Sequence, residues 1–358
     1  MSIDKEYMTF NEAEQEAGSD PFSNTLSYVR NLAWLGEQHF TPVNYIVPGI
    51  IPEGTTMFAG PPKIGKSWLA LDIALAVARG GYVLGDIKCE QGDVLYLALE
   101  DNQRRLQDRV RKISQGDYVD HWPESFHYAL QSAKANDGGL RHIEKWINAV
   151  ANPRLVVIDV LAAFRSSEGA SQNLYQADYA AIKAVQELNS RYPKVGIIVV
   201  HHTRKAGSDV DPFECVSGTN GINGAADASI TLMRTGGGVV TLYGRGRDIA
   251  EFEKAVTFNK ESCRWTIQGE VQDVKRSSQQ RAIIDALFES PDPLSPKELT
   301  EITGNKSANI RQMLQRMCAD GSVVRTDHAK YTLPNRSHGV SDHNDHNVTS
   351  ERDPEWLF

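Results

Sequence analysis

The sequence predicts an α/β fold with a mainly parallel sheet, followed by a small second domain of three helices and a hairpin. Three observations lead there. From Pro42 to Gly269, short aliphatic runs alternate with helix-length amphipathic stretches. The runs are apolar at consecutive positions, as in strands buried on both faces of a parallel sheet. After Ser278 the pattern changes to three short helical stretches, each with its own stop signal.

Taken in order, residues 1–40 are polar and acidic, with aliphatic spacing only at Tyr28–Leu35, and read as an N-terminal arm with one short helix. The core, 41–270, has buried parallel strands at Thr55–Ala59, Val94–Leu99, Leu155–Val160 and Val195–Val200. Helices at Ser67–Arg79, Leu140–Ala151 and Tyr175–Ser190 fall between them. Ser229–Arg234, Val239–Tyr243, Ala255–Asn259 and Arg264–Ile267 read as antiparallel strands added at one edge. Residues 271–278 are polar and charged, the composition of a linker. In 279–334, Pro291 and Pro293 end a helix over Gln280–Glu289. Ser295-Pro296-Lys297-Glu298 then combines a capping box with proline at the first helical position. The third helix carries Ile310, Met313, Leu314 and Met317 on one face, and a hairpin of Val323–Arg325 with Lys330–Leu333 follows. That order is a winged helix-turn-helix. Residues 335–358, low in apolar content, read as a disordered acidic tail.

Composition narrows the function classes. The chain has 358 residues, 41% hydrophobic and 23% charged, with no apolar run long enough to span a membrane. Its N-terminus lacks the order of a signal peptide, so the expectation is cytoplasmic. Cys89, Cys215, Cys263 and Cys318 are scattered and form no C-x-x-C pair, against a zinc site or disulfide framework. The net charge of −8 is concentrated in the arm (−5) and the tail (−3), while residues 275–334 carry +2, so total charge does not exclude DNA.

Gly60-Pro61-Pro62-Lys63-Ile64-Gly65-Lys66-Ser67 matches the phosphate-binding G-x-x-x-x-G-K-[ST] pattern between a strand and a helix. Glycines let the backbone close on phosphate oxygens, and the helix N-terminus adds favourable dipole charge. The expected ligands are ATP and Mg2+. Lys66 neutralises the β- and γ-phosphates, Ser67 ligates Mg2+, and the next residue, Trp68, borders the nucleotide. Leu155–Asp159 is an aliphatic strand ending in a carboxylate, which places Asp159 as the second magnesium-holding group. Glu100 ends another strand at the same sheet edge, where a carboxylate orients or deprotonates the attacking water. His201 and His202 end a third strand; adjacent residues point opposite ways, so at most one of them senses the γ-phosphate.

Gly60–Ser67, Glu100, the Asp159 strand and His201-His202-Thr203-Arg204-Lys205, in this order, resemble the RepA-like hexameric helicases of plasmids and phages, relatives of DnaB and RecA. The resemblance spans roughly residues 42–269 and includes Tyr45-Ile46-Val47-Pro48-Gly49 and Gly246-Arg247-Asp248. It implies a RecA-like P-loop core that assembles into a ring, a hexamer in this family, with ATP between subunits and an arginine supplied by a neighbour. Arg245 and Arg247 are the candidates for that arginine, Arg247 matching the family's G-R-D triplet. It also implies channel loops that hold single-stranded DNA, here 162–172 and 203–221, with Arg165, Arg204 and Lys205 as their cations.

On the third helix of the winged unit, Lys306, Asn309, Gln312 and Arg316 lie off the apolar face and can meet duplex DNA; the same unit can instead pack against protein. Asp353-Pro354-Glu355-Trp356-Leu357-Phe358 resembles the docking tails of replication proteins, so a replication partner is a further expectation, beside that of a solvated chain end. Three readings follow: an ATP-driven helicase translocating on single strands in replication of a plasmid, phage or mobile element; an ATP-gated DNA-binding switch without motor activity; and a RecA-type recombination ATPase.

Overall fold

A computed structural model describes residues 29–40, 42–115, 122–166, 174–203, 212–213, 224–234, 239–326 and 329–334. The chain divides into two units, Met1–Asn44 and Tyr45–Phe358. In the first, Asn31 caps a short helix, α1 (Leu32–Glu37), its side chain accepting from Trp34 N at 2.8 Å. No residue of α1 is buried, and its Leu32 and Leu35 stand exposed.

The second unit opens with a small antiparallel pair, β1 (Tyr45–Val47) and β2 (Ile51–Pro52). β3 (Gly54–Gly60) leads directly into α2 (Lys66–Arg79), and a second small pair follows, β4 (Tyr82–Val83) with β5 (Ile87–Lys88). Next come β6 (Asp93–Ala98), α3 (Gln103–Ile113), β7 (Phe126–Ala129), α4 (Leu140–Ala149) and β8 (Pro153–Asp159). The core continues through α5 (Leu161–Phe164), α6 (Leu174–Ser190), β9 (Gly196–His202), β10 (Ala228–Arg234), β11 (Val240–Gly246), β12 (Phe252–Asn259) and β13 (Arg264–Glu270).

Among the described residues these strands form a nine-stranded sheet in the order β13-β12-β11-β10-β3-β9-β8-β6-β7. From β10 to β7 every neighbouring pair is parallel, and β11 to β13 extend the sheet antiparallel. One sequence expectation is corrected here. Ser229–Arg234 is not an antiparallel addition; β10 runs parallel to β3, and reversal begins only at β11. The long connection from β9 to β10 is what permits the return crossover a parallel pair requires. The sequence reading also passed over β7 and α3, the one half-buried and the other dominated by charged residues.

Alternate residues of the parallel strands serve two cores. Phe58, Val94, Tyr96, Val157 and Val200 face one layer with α2; Met57, Leu95, Val156 and Val199 face the other with α4 and α6. Each large side chain buried this way contributes about 1.5–3 kcal/mol. α2 is apolar nearly all round because it lies between the parallel strands and β13, and residues 69–78 are all buried. Its one buried carboxylate, Asp72, accepts from Arg264 Nε of β13 at 3.0 and 3.2 Å. Burial pushes the Asp72 carboxyl up to about 6 against the opposing pull of Arg264. The pair ties the helix carrying Lys66 to the antiparallel extension.

The C-terminal elements have a core of their own, built from Ile283, Leu287, Leu299, Ile310, Leu314, Met317 and Val323. α7 (Val271–Glu289), α8 (Pro296–Thr303) and α9 (Ser307–Ala319) precede a hairpin of β14 (Val324–Arg325) and β15 (Tyr331–Thr332). The capping box forms as read: Ser295 N donates to Glu298 Oε2 at 2.7 Å and Glu298 N to Ser295 Oγ at 3.3 Å. The expected linker over residues 271–278 is replaced by the first turns of α7, which starts directly after β13. Nothing in Val271–Ser278 breaks a helix, since the stretch holds neither glycine nor proline, and polarity alone was a poor guide. No described helix is long and apolar enough to cross a membrane.

Ser277 is exposed in the interior of α7. Ser277→Pro is therefore expected to destabilise the folded chain by about 3 kcal/mol, read as a lowered melting temperature. A linker at this position would leave the melt unchanged.

Candidate nucleotide-binding site

The phosphate-loop pattern folds as its context requires, between the C-terminal end of β3 and the first turn of α2. Lys63 (φ 62°) and Gly65 (φ 108°) take left-handed backbone, which closes the loop over the helix N-terminus. A side chain at Gly65 would be strained by that φ and would also come within 3.0 Å of the Trp265 ring. Trp265 Nε1 donates to Gly65 O at 3.2 Å, so β13 supports the loop from outside. At Gly60 a Cβ would stand 2.5 Å from Leu232 O, so β10 also leaves no room for one.

Lys66 is buried, and its Nζ donates to Gly60 O at 2.7 Å and Pro61 O at 3.0 Å, with His202 Nδ1 at 3.0 Å. Burial pulls the ammonium down to about 8, while Asp159 and Glu100 work to raise it. His202 is held below its usual range, first by burial and then by the Lys66 charge. It is thus a neutral imidazole near pH 7, able to accept from Lys66 at Nδ1. Ser67 Oγ donates to Asp159 Oδ1 at 3.0 Å, and the buried Tyr96 hydroxyl donates to Asp159 Oδ2 at 2.7 Å. Burial raises the Asp159 carboxyl; the hydrogen bond from Tyr96, the Arg109 charge and the bond from Ser67 oppose that rise. The sequence reading missed Tyr96, although a tyrosine in an otherwise aliphatic strand was the available signal.

Glu100 lies just past β6, exposed, and close enough to influence the titration of Lys66, Asp159 and His202. Its turn is fixed by the next residue. Asp101 accepts from Arg105 Nε at 2.9 Å and from Arg109 at 2.5 Å, and Arg105 also donates to Glu100 O at 2.7 Å. The Arg109 guanidinium lies over the Trp68 ring, 4.9 Å from its centroid, so Trp68 buttresses this turn. A cleft of about 490 Å³ opens beside the loop, lined by Lys63, Ile64, Trp68, Lys260, Trp265 and Val274 among others.

Other expected residues lie elsewhere. His201 points away from the phosphate loop, with Nε2 3.2 Å from Asp178 Oδ2, so its expected place beside the γ-phosphate is corrected: strand alternation puts His202, not His201, next to Lys66. Arg165, expected as a free channel cation, is paired with Asp178 at 2.5 Å and keeps about one-fifth of its side chain exposed. Arg245 pairs with Glu251 at 2.7 Å and stacks on Phe213. Arg247 contacts Asp227 at 3.4 Å and donates to Gly224 O at 3.0 Å. β11 runs antiparallel to β10, so both arginines sit at the sheet edge opposite Gly60–Ser67. Lys306, Asn309 and Arg316 are exposed on or beside α9, clear of its apolar face. Arg204 and Lys205 lie outside the described residues, as do most of the two expected channel loops and the acidic tail.

The family model for the AAA domain matches residues 26–208, half of the chain. The chain belongs to the AAA domain family. Among curated proteins, DNA repair protein RadA of Mycobacterium tuberculosis, in strains H37Rv and CDC 1551, is 26% identical over 164 residues. That alignment takes in 46% of this AAA-domain chain but 30% of the relative, so the chain spans under a third of the length of the curated relative it matches. Two solved structures are similar at 12% identity. One, described as an ATPase domain, has a TM-score of 0.47, over 60% of this chain and 84% of that one. The other, a DnaB-like replicative helicase in a structure concerned with its interactions with primase, has a TM-score of 0.49 over 63% and 62%.

The residues present fit a nucleotide with Mg2+. Backbone and a buried ammonium form a cradle for anions, and Ser67 Oγ and Asp159 Oδ1 are hard oxygen donors 3.0 Å apart. No cluster of three His, Cys, Asp or Glu residues able to hold a metal occurs among the described residues.

Two outcomes follow from this geometry. Lys66 loses its proton above pH about 8, whereas phosphates beside it hold the proton on. Affinity for a non-hydrolysable ATP analogue is therefore expected to be flat below that pH and to fall about tenfold per unit above it, with proton uptake visible by calorimetry in buffers of different ionisation enthalpy. Tyr96→Phe removes a hydrogen bond to Asp159, and is expected to raise the Mg2+ concentration needed for nucleotide binding by about 10–100-fold, read by titrating Mg2+ at fixed analogue.

Proposed function

We propose that the chain is an ATPase acting on DNA as a ring, with nucleotide held between neighbouring subunits. The observation that carries this reading is the position of Arg247. Its backbone N donates to Asp227 O beside the N-terminal end of β3, while the phosphate loop follows the C-terminal end. Strand rise sets the two edges roughly 15–20 Å apart. An arginine there serves a γ-phosphate only when a second copy presents it.

In this reading Lys66 neutralises phosphate charge, and Ser67 and Asp159 hold Mg2+, which draws charge off the phosphate oxygens. Glu100 orients the attacking water and accepts its proton, on a turn fixed by Arg105 and Arg109. His202 follows the γ-phosphate through its contact with Lys66. The nucleoside takes the cleft beside Trp68 and Trp265. Hexameric rings, translocation on single strands and a role in replicating a plasmid, phage or mobile element follow from the RepA-like resemblance. Duplex contact belongs to Lys306, Asn309, Gln312 and Arg316 if the C-terminal elements act as a winged helix.

One observation favours the second reading, an ATP-gated switch. Val274, in the first turns of α7, lines the cleft beside the phosphate loop, which supports a reading in which the C-terminal helices respond to nucleotide directly. The RecA side of the resemblance keeps the recombination ATPase as a third reading, beside the similarity to a DNA repair protein.

ATPase rate is to be measured against protein concentration, with and without single-stranded DNA, for wild type and Arg247→Ala. A ring with a trans arginine gives a rate that rises with concentration, is stimulated by single strands, and falls about 10³-fold or more on substitution. A slow rate indifferent to DNA, concentration and Arg247 moves the reading to the switch.

A further inference from the structure

A second polar cluster lies on the face of β9 opposite the phosphate loop. Asp178 of α6 is 4% exposed, and its two carboxylate oxygens take different partners. Oδ1 accepts from Arg165, just past α5, at 2.5 Å; Oδ2 stands 3.2 Å from His201 Nε2 at the end of β9. Burial works to raise this carboxyl, but the bonds from His201 and Arg165 outweigh it and hold it below its usual range. The carboxylate therefore stays charged and keeps both partners.

What those partners join matters. Arg165 belongs to the segment that follows Asp159, and that segment is anchored on its other side by Lys134 Nζ donating to Ala163 O at 2.6 Å. His201 precedes His202, which contacts Lys66, and Thr203 N donates to Gly60 O at 3.0 Å. Asp178 thus links the segment after Asp159 to the strand end that touches the phosphate loop.

Arg165 is about one-fifth exposed, unlike the carboxylate it pairs with. The structure shows Arg165 on Asp178; a polyanion reaching it would have to compete with that carboxylate for one guanidinium, which would give the link a second arrangement with Arg165 on a phosphate. We propose that Asp178 is a positioning residue through which a nucleic-acid phosphate at Arg165 and the phosphate loop at Lys66 communicate, the exchange of Arg165 between carboxylate and phosphate altering the hold on His201. This rests on the DNA-acting ATPase reading above.

The two functions of the link predict opposite effects for one substitution. Asp178→Asn frees Arg165, so affinity for a fluorescent oligo-dT, measured by anisotropy with a non-hydrolysable ATP analogue, is expected to rise about 3–10-fold. The same variant loses the link, so stimulation of ATPase by oligo-dT is expected to fall to less than twofold. Loss of structure alone lowers both readouts, which would overturn the proposal, as would unchanged stimulation. His201→Leu tests the other end without touching Arg165: affinity for oligo-dT is expected to stay within twofold of wild type while stimulation is lost, and retained stimulation overturns the proposal. Wild type that neither binds oligo-dT nor responds to it defeats the DNA-acting reading itself, a result distinct from either variant outcome.

Discussion

A buried ammonium organises the middle of this structure. Lys66 sits where β3 becomes α2, out of reach of bulk water, and its charge is tolerable only because Gly60 O and Pro61 O accept from it and carboxylates lie nearby. Each of those acceptors imposes a condition on something else. The carbonyls face Nζ only in the closed loop, which requires left-handed backbone at Lys63 and Gly65 and the support of Trp265. The carboxylate of Asp159 must in turn be kept ionised in an apolar setting, and the hydroxyls of Tyr96 and Ser67 contribute to that. One buried charge thus fixes chemistry on three parallel strands and the first turn of a helix.

The sheet distributes these tasks by alternation. β9 ends in two histidines of opposite direction, so one strand end serves the phosphate loop through His202 and the opposite layer through His201. The same alternation divides the core, with α2 on one face and α4 and α6 on the other. α2 is held against the parallel strands by apolar contact and against β13 by the Asp72–Arg264 pair. The antiparallel extension is consequently part of the nucleotide site and more than an edge decoration.

Much of this was legible in the sequence. The four central strands, the loop between β3 and α2, Asp159, and the capping box at Ser295 all announce themselves by local pattern, since periodicity and turn chemistry are short-range signals. What escaped depends on partners distant in sequence. Trp265 meets Gly65 and Tyr96 meets Asp159 only after the sheet has assembled. Arg165 read as a free cation because its counter-charge, Asp178, sits on a separate helix. The direction of β10 was misread because a crossover and a hairpin leave similar aliphatic traces, and the helical start of α7 was obscured by its polarity.

That helical start gives the molecule a lever. With no flexible joint between β13 and the C-terminal helices, α7 runs unbroken for 19 residues, a rod of about 28 Å. A reorientation of only about 5° at its root carries its far end roughly 2–3 Å, the size of a helix shift that repacks an interface. The antiparallel strands that brace the phosphate loop are also the fulcrum of that rod. A small rearrangement around Trp265 would thereby be magnified at the surface carried by α8 and α9, at a distance no side chain could span.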